Sequence, residues 1–256
     1  MYPYELFWGI DLYDIFMVIG IISAIIVYDK YIEKRNIPAK VRDFYLIIGV
    51  VSIVVGIYSA ELFQSLFNYI KTGVFVWQGL TFYGGIIGGV ATFIICLFAF
   101  GKIFFKEKEH LTNFRHVYEV APCCITIAHA FGRIGCLMAG CCYGAKTDGF
   151  PGIYMPQNGG YFIPIQLYES LFLFALFIVL SYLYKKNNSY TFIVYLISYG
   201  AWRFVIEFFR ADERGAFIPG LTPAQAISLL AIAVGIGMAI YKAVKDSGNK
   251  SAEKNS

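Results

Sequence analysis

Charge is scarce in this sequence of 256 residues, of which only 15% are Asp, Glu, Lys or Arg and 58% are hydrophobic. Soluble globular domains carry about 25% charged residues, so the composition excludes an ordinary water-soluble protein. No long polar stretch separates the hydrophobic blocks, which argues against an additional soluble domain. The formal net charge is only +4, and nothing in it supports nucleic acid binding.

Basic residues are absent from the first 11 positions. A secretory signal peptide needs a basic region before its apolar core, but Asp11 and Asp14 stand where those charges would be. We therefore expect the first apolar block to be retained as a helix.

Seven apolar blocks have the length of about 17–25 residues that crosses a hydrocarbon core of about 30 Å. They cover residues 12–28, 44–62, 80–100, 117–137, 165–184, 190–209 and 222–241. The prediction is an all-α, polytopic membrane protein with seven transmembrane helices. It forms a single integral membrane domain over residues 1–256, in which residues 242–256 are a polar cytoplasmic tail.

The basic residues predict the orientation, because cytoplasmic loops carry an excess of Lys and Arg. Fifteen of them flank the blocks on one side and four on the other, while Arg133 and Arg203 lie within blocks. We therefore expect the N-terminus outside and the C-terminus in the cytoplasm.

With this orientation, the charged residues inside the blocks lie in the outer part of the bilayer. Each charge costs about 2.5–3.5 kcal/mol at mid-bilayer, so such residues pair with one another or face a polar cavity. If these charged residues only pair with one another, the cluster would serve to fix the packing of the helices. The residues concerned are Glu61, Arg133, Glu169, Arg203 and Glu207, with Tyr83 at the same depth.

Helical spacing places several of these residues on common faces. His129, Arg133 and Cys136 follow one another at i, i+4 and i+7, and Tyr199, Arg203 and Glu207 are each four residues apart. The pairs Gly84–Gly88 and Gly85–Gly89 are small-xxx-small patterns typical of close helix packing.

Two long connections, residues 63–79 and 140–164, frame the outer side. The second contains six glycines and three prolines, and we expect it to be an irregular cap over the charged cluster.

The six cysteines do not by their number indicate a disulfide framework. Cys96, Cys123 and Cys124 lie within apolar blocks, where cysteine is usually a small filler. Three interpretations of Cys136, Cys141 and Cys142 stay open: packing, a disulfide or redox-sensitive pair, and a metal site or nucleophile. Their spacing is not a usual zinc spacing, so we expect no metal.

Two arginines at headgroup depth can hold a phosphodiester, because each presents a planar fork of donors. The neighbouring carboxylates could act as bases or orient the arginines. These residues indicate a site that binds, and could modify, an anionic lipid at the outer leaflet.

The stretch "GRIGCLMAGCCYG" resembles the signature of prolipoprotein diacylglyceryl transferases. "LTFYGGIIGG", "PIQLYES", "YGAWRFVIEFFR" and "TPAQAISL" resemble further motifs of this family, in the same order. The resemblance covers nearly the whole chain, and the match of Tyr199, Arg203 and Glu207 is the most specific.

The resemblance implies transfer of the diacylglyceryl group of phosphatidylglycerol to the lipobox cysteine thiol of a prolipoprotein, with release of glycerol phosphate. It implies a bacterial cytoplasmic membrane and no cofactor. Arg133 and Arg203 would hold the phosphate and Glu207 would orient Arg203. The other residues assigned to the site are Tyr83, Gly84, Gly85, His129, Cys136, Gln166, Tyr168, Glu169 and Tyr199.

Two positions depart from the family pattern. Tyr83 stands where the family usually has histidine, and Cys136 stands where it usually has asparagine. Tyrosine, with a pKa of about 10, is a poor base at neutral pH, so His129 is a candidate replacement. A related enzyme that uses cysteines on another acceptor, and a lipid-binding protein without activity, stay open as alternatives. A small-anion transporter fits less well, because no polar path continues inward.

Overall fold

The computed structural model describes residues 4–77, 79, 81–210 and 221–254. Within these ranges, seven helices are long and apolar enough to cross a membrane, which confirms the predicted all-α, polytopic architecture. The seven are α1 Leu12–Glu33, α2 Ala39–Thr72, α3 Phe82–Phe104, α5 Phe114–Ala139, α6 Ile165–Lys185, α7 Thr191–Ile206 and α8 Pro223–Lys254. A short helix, α4 (Glu109–Thr112), lies between α3 and α5.

Two helices are longer than their apolar blocks by more than ten residues. Helix α2 has 34 residues and takes in the first part of the predicted 63–79 connection. It ends where Gly73, with φ of 72°, donates its N–H to the Tyr69 carbonyl at 2.8 Å. Helix α8 continues to Lys254, so most of the predicted polar tail is helical. A helix can continue past an apolar block because each further residue adds a backbone hydrogen bond.

The described chain divides into two compact units, one of Met1–Tyr31 with Tyr118–Ser256 and the other of Ile32–Val117. In the second unit, α2 and α3 pack through glycine. A Cβ atom on Gly88 would lie 2.3 Å from the Ser59 Cβ, and one on Gly84 would lie 2.6 Å from the Phe63 Cβ. The predicted packing role of these glycines is confirmed, because no larger side chain fits.

In the first unit, α5 provides the core. Val120, Cys123, Thr126 and Ala130 form a completely buried stripe on this helix, at the spacing of one helical face. The hydroxyl of Ser170 in α6 donates to the Ala130 carbonyl at 3.0 Å, which ties α6 to this stripe.

The connection after α5 is more regular than its composition predicted. It contains a three-stranded antiparallel sheet in the order β1–β3–β2, formed by β1 Lys146–Thr147, β2 Ile153–Met155 and β3 Gly160–Phe162. The expectation of an irregular cap was therefore wrong for these residues. Glycines between the strands allow the tight turns, as Gly159 does with φ of 59°.

Candidate functional site

The polar residues of the first unit gather at one end of its helices. Helices α5 and α7 run toward this end, whereas α6 and α8 begin there after Pro164 and Thr222. Consequently, the last turns of two helices meet the first turns of two others. Chain direction thus places Arg133, Glu169 and Arg203 in a common layer.

Glu169 is the centre of the first ion pair, and its side chain has no exposed surface. The Arg133 Nε lies 2.8 Å from the Glu169 Oε2, and the Arg133 Nη2 donates to Oε1 at 3.2 Å. The Tyr199 hydroxyl donates to the same Oε1 at 3.1 Å. A carboxylate that contacts two nitrogen atoms of one guanidinium restricts the orientation of that arginine.

His129 lies beside this pair. Its Nε2 is 3.8 Å from the Glu169 Oε1, and its ring packs edge-on against Tyr199 at a centroid distance of 5.3 Å. The imidazole therefore contacts the cluster, as its spacing from Arg133 predicted.

Arg203 and Glu207 form the second ion pair, with 2.6 Å between the Arg203 Nη2 and the Glu207 Oε2. Glu207 also accepts a hydrogen bond from the Thr222 hydroxyl at 3.2 Å. The Arg203 Nη1 is buried and has no hydrogen-bond partner among the described residues. A buried guanidinium donor without a partner is costly, so this atom is suited to an anionic ligand.

Two residues near this pair were not predicted as part of the site. The Arg210 Nε lies 4.0 Å from the Glu207 Oε2, and its side chain is only 2% exposed. Thr222 forms a capping box with Gln225, because the Gln225 N–H donates to the Thr222 hydroxyl at 3.2 Å and the Thr222 N–H donates to the Gln225 Oε1 at 3.0 Å. The T-x-x-Q spacing in "TPAQ" is typical of a capping box and could have predicted these two hydrogen bonds.

Gln166 and Tyr168, both predicted to line the site, contact the segment between α5 and α6. The Gln166 Nε2 donates to the Cys141 carbonyl, and the Tyr168 hydroxyl donates to the Pro151 carbonyl at 3.3 Å. Among the described residues, the hydrogen bonds of these two side chains therefore go to the cap and not to Glu169.

Cys136 lies with Cys141 and Cys142, and the three sulfur atoms are within 4.8 Å of one another. Hydrogen bonds with the Cys136 and Cys141 thiols hold the pKa of the Cys142 thiol well below its ordinary value. The Arg210 guanidinium lowers the pKa of the same thiol further.

The remaining predicted residues belong to the second unit. Gly84 and Gly85 lie against α2, where a Cβ on Gly85 would contact the Ala60 Cβ at 3.4 Å. Tyr83 is part of α3, but its side chain lies outside the described part of the structure. The Glu61 Oε2 accepts a hydrogen bond from the Trp77 Nε1 at 2.5 Å.

Comparison with known proteins matches residues 4–241 to the family described as prolipoprotein diacylglyceryl transferase. A phosphatidylglycerol–prolipoprotein diacylglyceryl transferase of Clostridium tetani is 32% identical over 91% of this chain and 94% of its own length. The protein of that name from Clostridioides difficile is 31% identical over 96% of this chain and 97% of its own length. One from Clostridium perfringens is 36% identical over 68% of this chain and 65% of its own length. The chain therefore belongs to the prolipoprotein diacylglyceryl transferase family.

Proposed function

We propose that this chain transfers the diacylglyceryl group of phosphatidylglycerol to the lipobox cysteine thiol of a prolipoprotein. The names of its relatives support the two substrates. The observation that carries the proposal is the arginine cluster, in which the buried Arg203 Nη1 has no hydrogen-bond partner among the described residues. A lipid phosphate would supply that acceptor.

In the reaction, the acceptor sulfur attacks the glycerol carbon that carries the phosphate. A C–S bond forms and the C–O bond to phosphate breaks, so that glycerol phosphate leaves with the bonding electrons and the thiol proton passes to a base. Arg133 and Arg203 hold the phosphate and stabilise the charge that grows on it. Glu169 and Glu207 hold the two guanidinium groups in place.

The other assigned residues serve binding or proton transfer in this proposal. Tyr199 contacts the arginine cluster through Glu169, and His129 is the imidazole nearest to it. The residues proposed to line the substrate path are Tyr83, Gly84, Gly85, Cys136, Gln166 and Tyr168.

We further propose that residues 1–256 act as one transferase domain in the bacterial cytoplasmic membrane, with residues 242–256 as its cytoplasmic end. The family match supports this, because it extends through both compact units. The excess of basic residues on one side supports an outer N-terminus and an outer active site.

Arginine-to-lysine variants test the proposal. Purified Arg133→Lys and Arg203→Lys proteins receive phosphatidylglycerol and a lipobox peptide, and thioether product and glycerol phosphate are measured. We expect a rate loss of about 10²–10³-fold in each, because lysine lacks the bidentate fork. Arg42→Lys is the matched control, since Arg42 pairs with Asp43 on the exposed surface, and it should keep full activity. Near-normal product formation by both site variants would refute phosphate holding by these arginines.

The cysteine cluster favours a second candidate, a same-fold transferase in which cysteines take part in the chemistry. Tyr83→His should retain or raise activity if the standard reaction operates, and changing Cys136, Cys141 and Cys142 together to Ser should cost little. The second candidate requires the opposite, a loss of more than about two orders of magnitude in the serine variant without gain from histidine. Glycerol phosphate release distinguishes both enzymes from a lipid-binding protein.

A further inference from the structure

Three thiols converge at the end of α5, beside the arginine cluster. Cys136 lies in the last turn of the helix, which ends at Ala139, and Cys141 and Cys142 follow after Gly140. Gly140, with φ of 68°, turns the chain back, and the Cys141 N–H donates to the Cys136 carbonyl at 3.1 Å. As a result, all three sulfur atoms lie within 4.8 Å of one another.

The backbone at Cys142 has an uncommon conformation that serves this convergence. Neighbouring residues in an extended chain point their side chains to opposite sides. Cys142 instead has φ of 61°, in the left-handed region that costs a non-glycine residue about 1–2 kcal/mol. Both adjacent sulfurs therefore lie near the Cys136 sulfur, which a regular strand would not allow.

The spacing of the sulfurs suits a metal better than a disulfide. A disulfide joins only two sulfurs at about 2.05 Å and leaves the third unused. Zinc–sulfur bonds of about 2.3 Å separate the sulfurs of one site by roughly 4 Å. The observed upper limit of 4.8 Å between the three sulfurs is close to that separation.

The surroundings compensate charge and hold the ligands. A backbone bridge between Gly144 and Arg210 keeps this arginine beside the loop that carries Cys141 and Cys142. The Gln166 side chain donates to the Cys141 carbonyl. Three thiolates and a divalent cation carry one net negative charge, which Arg210 offsets in part because Glu207 shares its charge. Such neighbouring hydrogen bonds are the usual means of orienting metal ligands.

We propose that Cys136, Cys141 and Cys142 form a binding site for a thiophilic closed-shell cation such as Zn²⁺, with one coordination position left for water or another donor. The site does not depend on the transferase reaction. It replaces the expectation of no metal, which rested on sequence spacing alone and could not include the turn at Gly140.

Metal titration of the purified full-length protein tests this site. The protein is reduced with a phosphine, freed of metal by a chelator and titrated without oxygen with Cd²⁺, whose thiolate charge-transfer absorption reports sulfur ligation. Zn²⁺ then competes, and elemental analysis gives the stoichiometry. We expect one metal ion per chain, with Zn²⁺ displacing Cd²⁺.

Cysteine variants assign the ligands. Cys141→Ser and Cys142→Ser should each weaken metal binding by at least about 100-fold. Loss of a residue that only hydrogen-bonds a ligand weakens metal binding by about 10- to 100-fold, so a larger effect indicates a ligand. The matched control changes Cys96, Cys123 and Cys124 together to Ala and should bind as the unchanged protein does. Thermal unfolding with and without metal checks that each variant is folded. Failure of the reduced unchanged protein to bind, binding that survives both serine changes, or a disulfide among the three in protein isolated without reductant would each overturn the proposal.

Discussion

At the scale of single residues, Glu169 is the most constrained group of the site. Its side chain is completely buried, contacts two nitrogen atoms of Arg133 and accepts a hydrogen bond from the Tyr199 hydroxyl. Removing one partner of such a buried pair costs about 3–5 kcal/mol, because the other charge stays behind uncompensated. We therefore expect Glu169 to position Arg133 rather than to touch the reacting atoms.

Glu169→Gln tests this positioning role. The amide still accepts a hydrogen bond but no longer neutralises the guanidinium, so Arg133 should shift from its place. We expect kcat to fall by about 10²-fold with a smaller change in the KM for phosphatidylglycerol, the scale of a misplacement of about 1 Å. Ser170→Ala, which removes the neighbouring hydrogen bond to Ala130, is the control and should keep kcat. A kcat ratio near one for the glutamine variant would contradict the role.

We expect His110, in the second unit, to make the stability of the protein depend on pH. Its side chain is buried against Phe44 and Phe105, and burial holds the pKa of the imidazole below its ordinary value of 6.5. The unfolded chain takes up a proton near that value while the folded imidazole stays neutral. Stability from this residue is thus present above about pH 6.5 and lost as pH falls toward the folded pKa.

We expect the unfolding free energy in detergent to decrease by at most about 1.4 kcal/mol per pH unit through this one group. Thermal unfolding between about pH 7.5 and about pH 5.5 measures it against a His110→Phe variant, whose ring suits the same aromatic surroundings. The phenylalanine variant should show a weaker dependence. Identical pH profiles would assign the effect to other residues.

How far the sequence predicted the site depends on whether a contact is local. The Arg203–Glu207 pair follows from i,i+4 spacing within one helix. The Arg133–Glu169 pair depends on how α5 and α6 are rotated toward each other, which spacing does not determine. Arg210 was counted as a loop charge, because its approach to Glu207 needs the turn that ends α7.

At the scale of elements, the seam between α2 and α3 is the most demanding contact of the second unit. Gly88 faces Ser59, and the Ser59 hydroxyl donates to the Gly84 carbonyl at 2.9 Å across the seam. Any side chain at Gly88 must separate the helices. By contrast, a Cβ on Gly49 of α2 would meet no atom within 4 Å.

Gly88→Val should therefore destabilise the protein by about 1–3 kcal/mol, the usual cost of overpacking. Gly49→Ala is the matched change in open space and should be neutral or stabilise by up to about 1 kcal/mol, since alanine restricts the unfolded chain. Thermal unfolding midpoints in detergent measure both. Equal midpoints for the two variants would show that the seam tolerates expansion.

Element positions were predictable because apolar blocks of membrane-spanning length leave few alternatives. The ends of α2 and α8 were not predictable in this way, because a helix does not have to end at the last residue of an apolar block. The strands of the cap were not predicted. The glycines and prolines around them indicate turns, and a strand as short as Ile153–Met155 gives no recognisable pattern of its own.

At the scale of the whole molecule, the distribution of basic residues predicts which side faces out. Cys141 is exposed in the cap, so a membrane-impermeant thiol reagent should label it in intact cells that are reduced and treated with a metal chelator. A Ser251→Cys variant that also carries Cys141→Ser and Cys142→Ser is the matched control, because its introduced thiol should react only after the membrane is opened. Reversal of these two results would invert the proposed orientation.

The length of α2 has a consequence for the lipids that suit this protein. Its 34 residues extend about 51 Å, far more than a hydrocarbon layer of about 30 Å. The uncharged stretch at 44–60 ends at Glu61, whose carboxylate is held by the Trp77 indole, a group that prefers the interface. Thick bilayers would draw this carboxylate into hydrocarbon, whereas thin ones would expose apolar surface. We therefore expect a distinct optimum of acyl-chain length in reconstituted vesicles, which Glu61→Leu should shift toward longer chains.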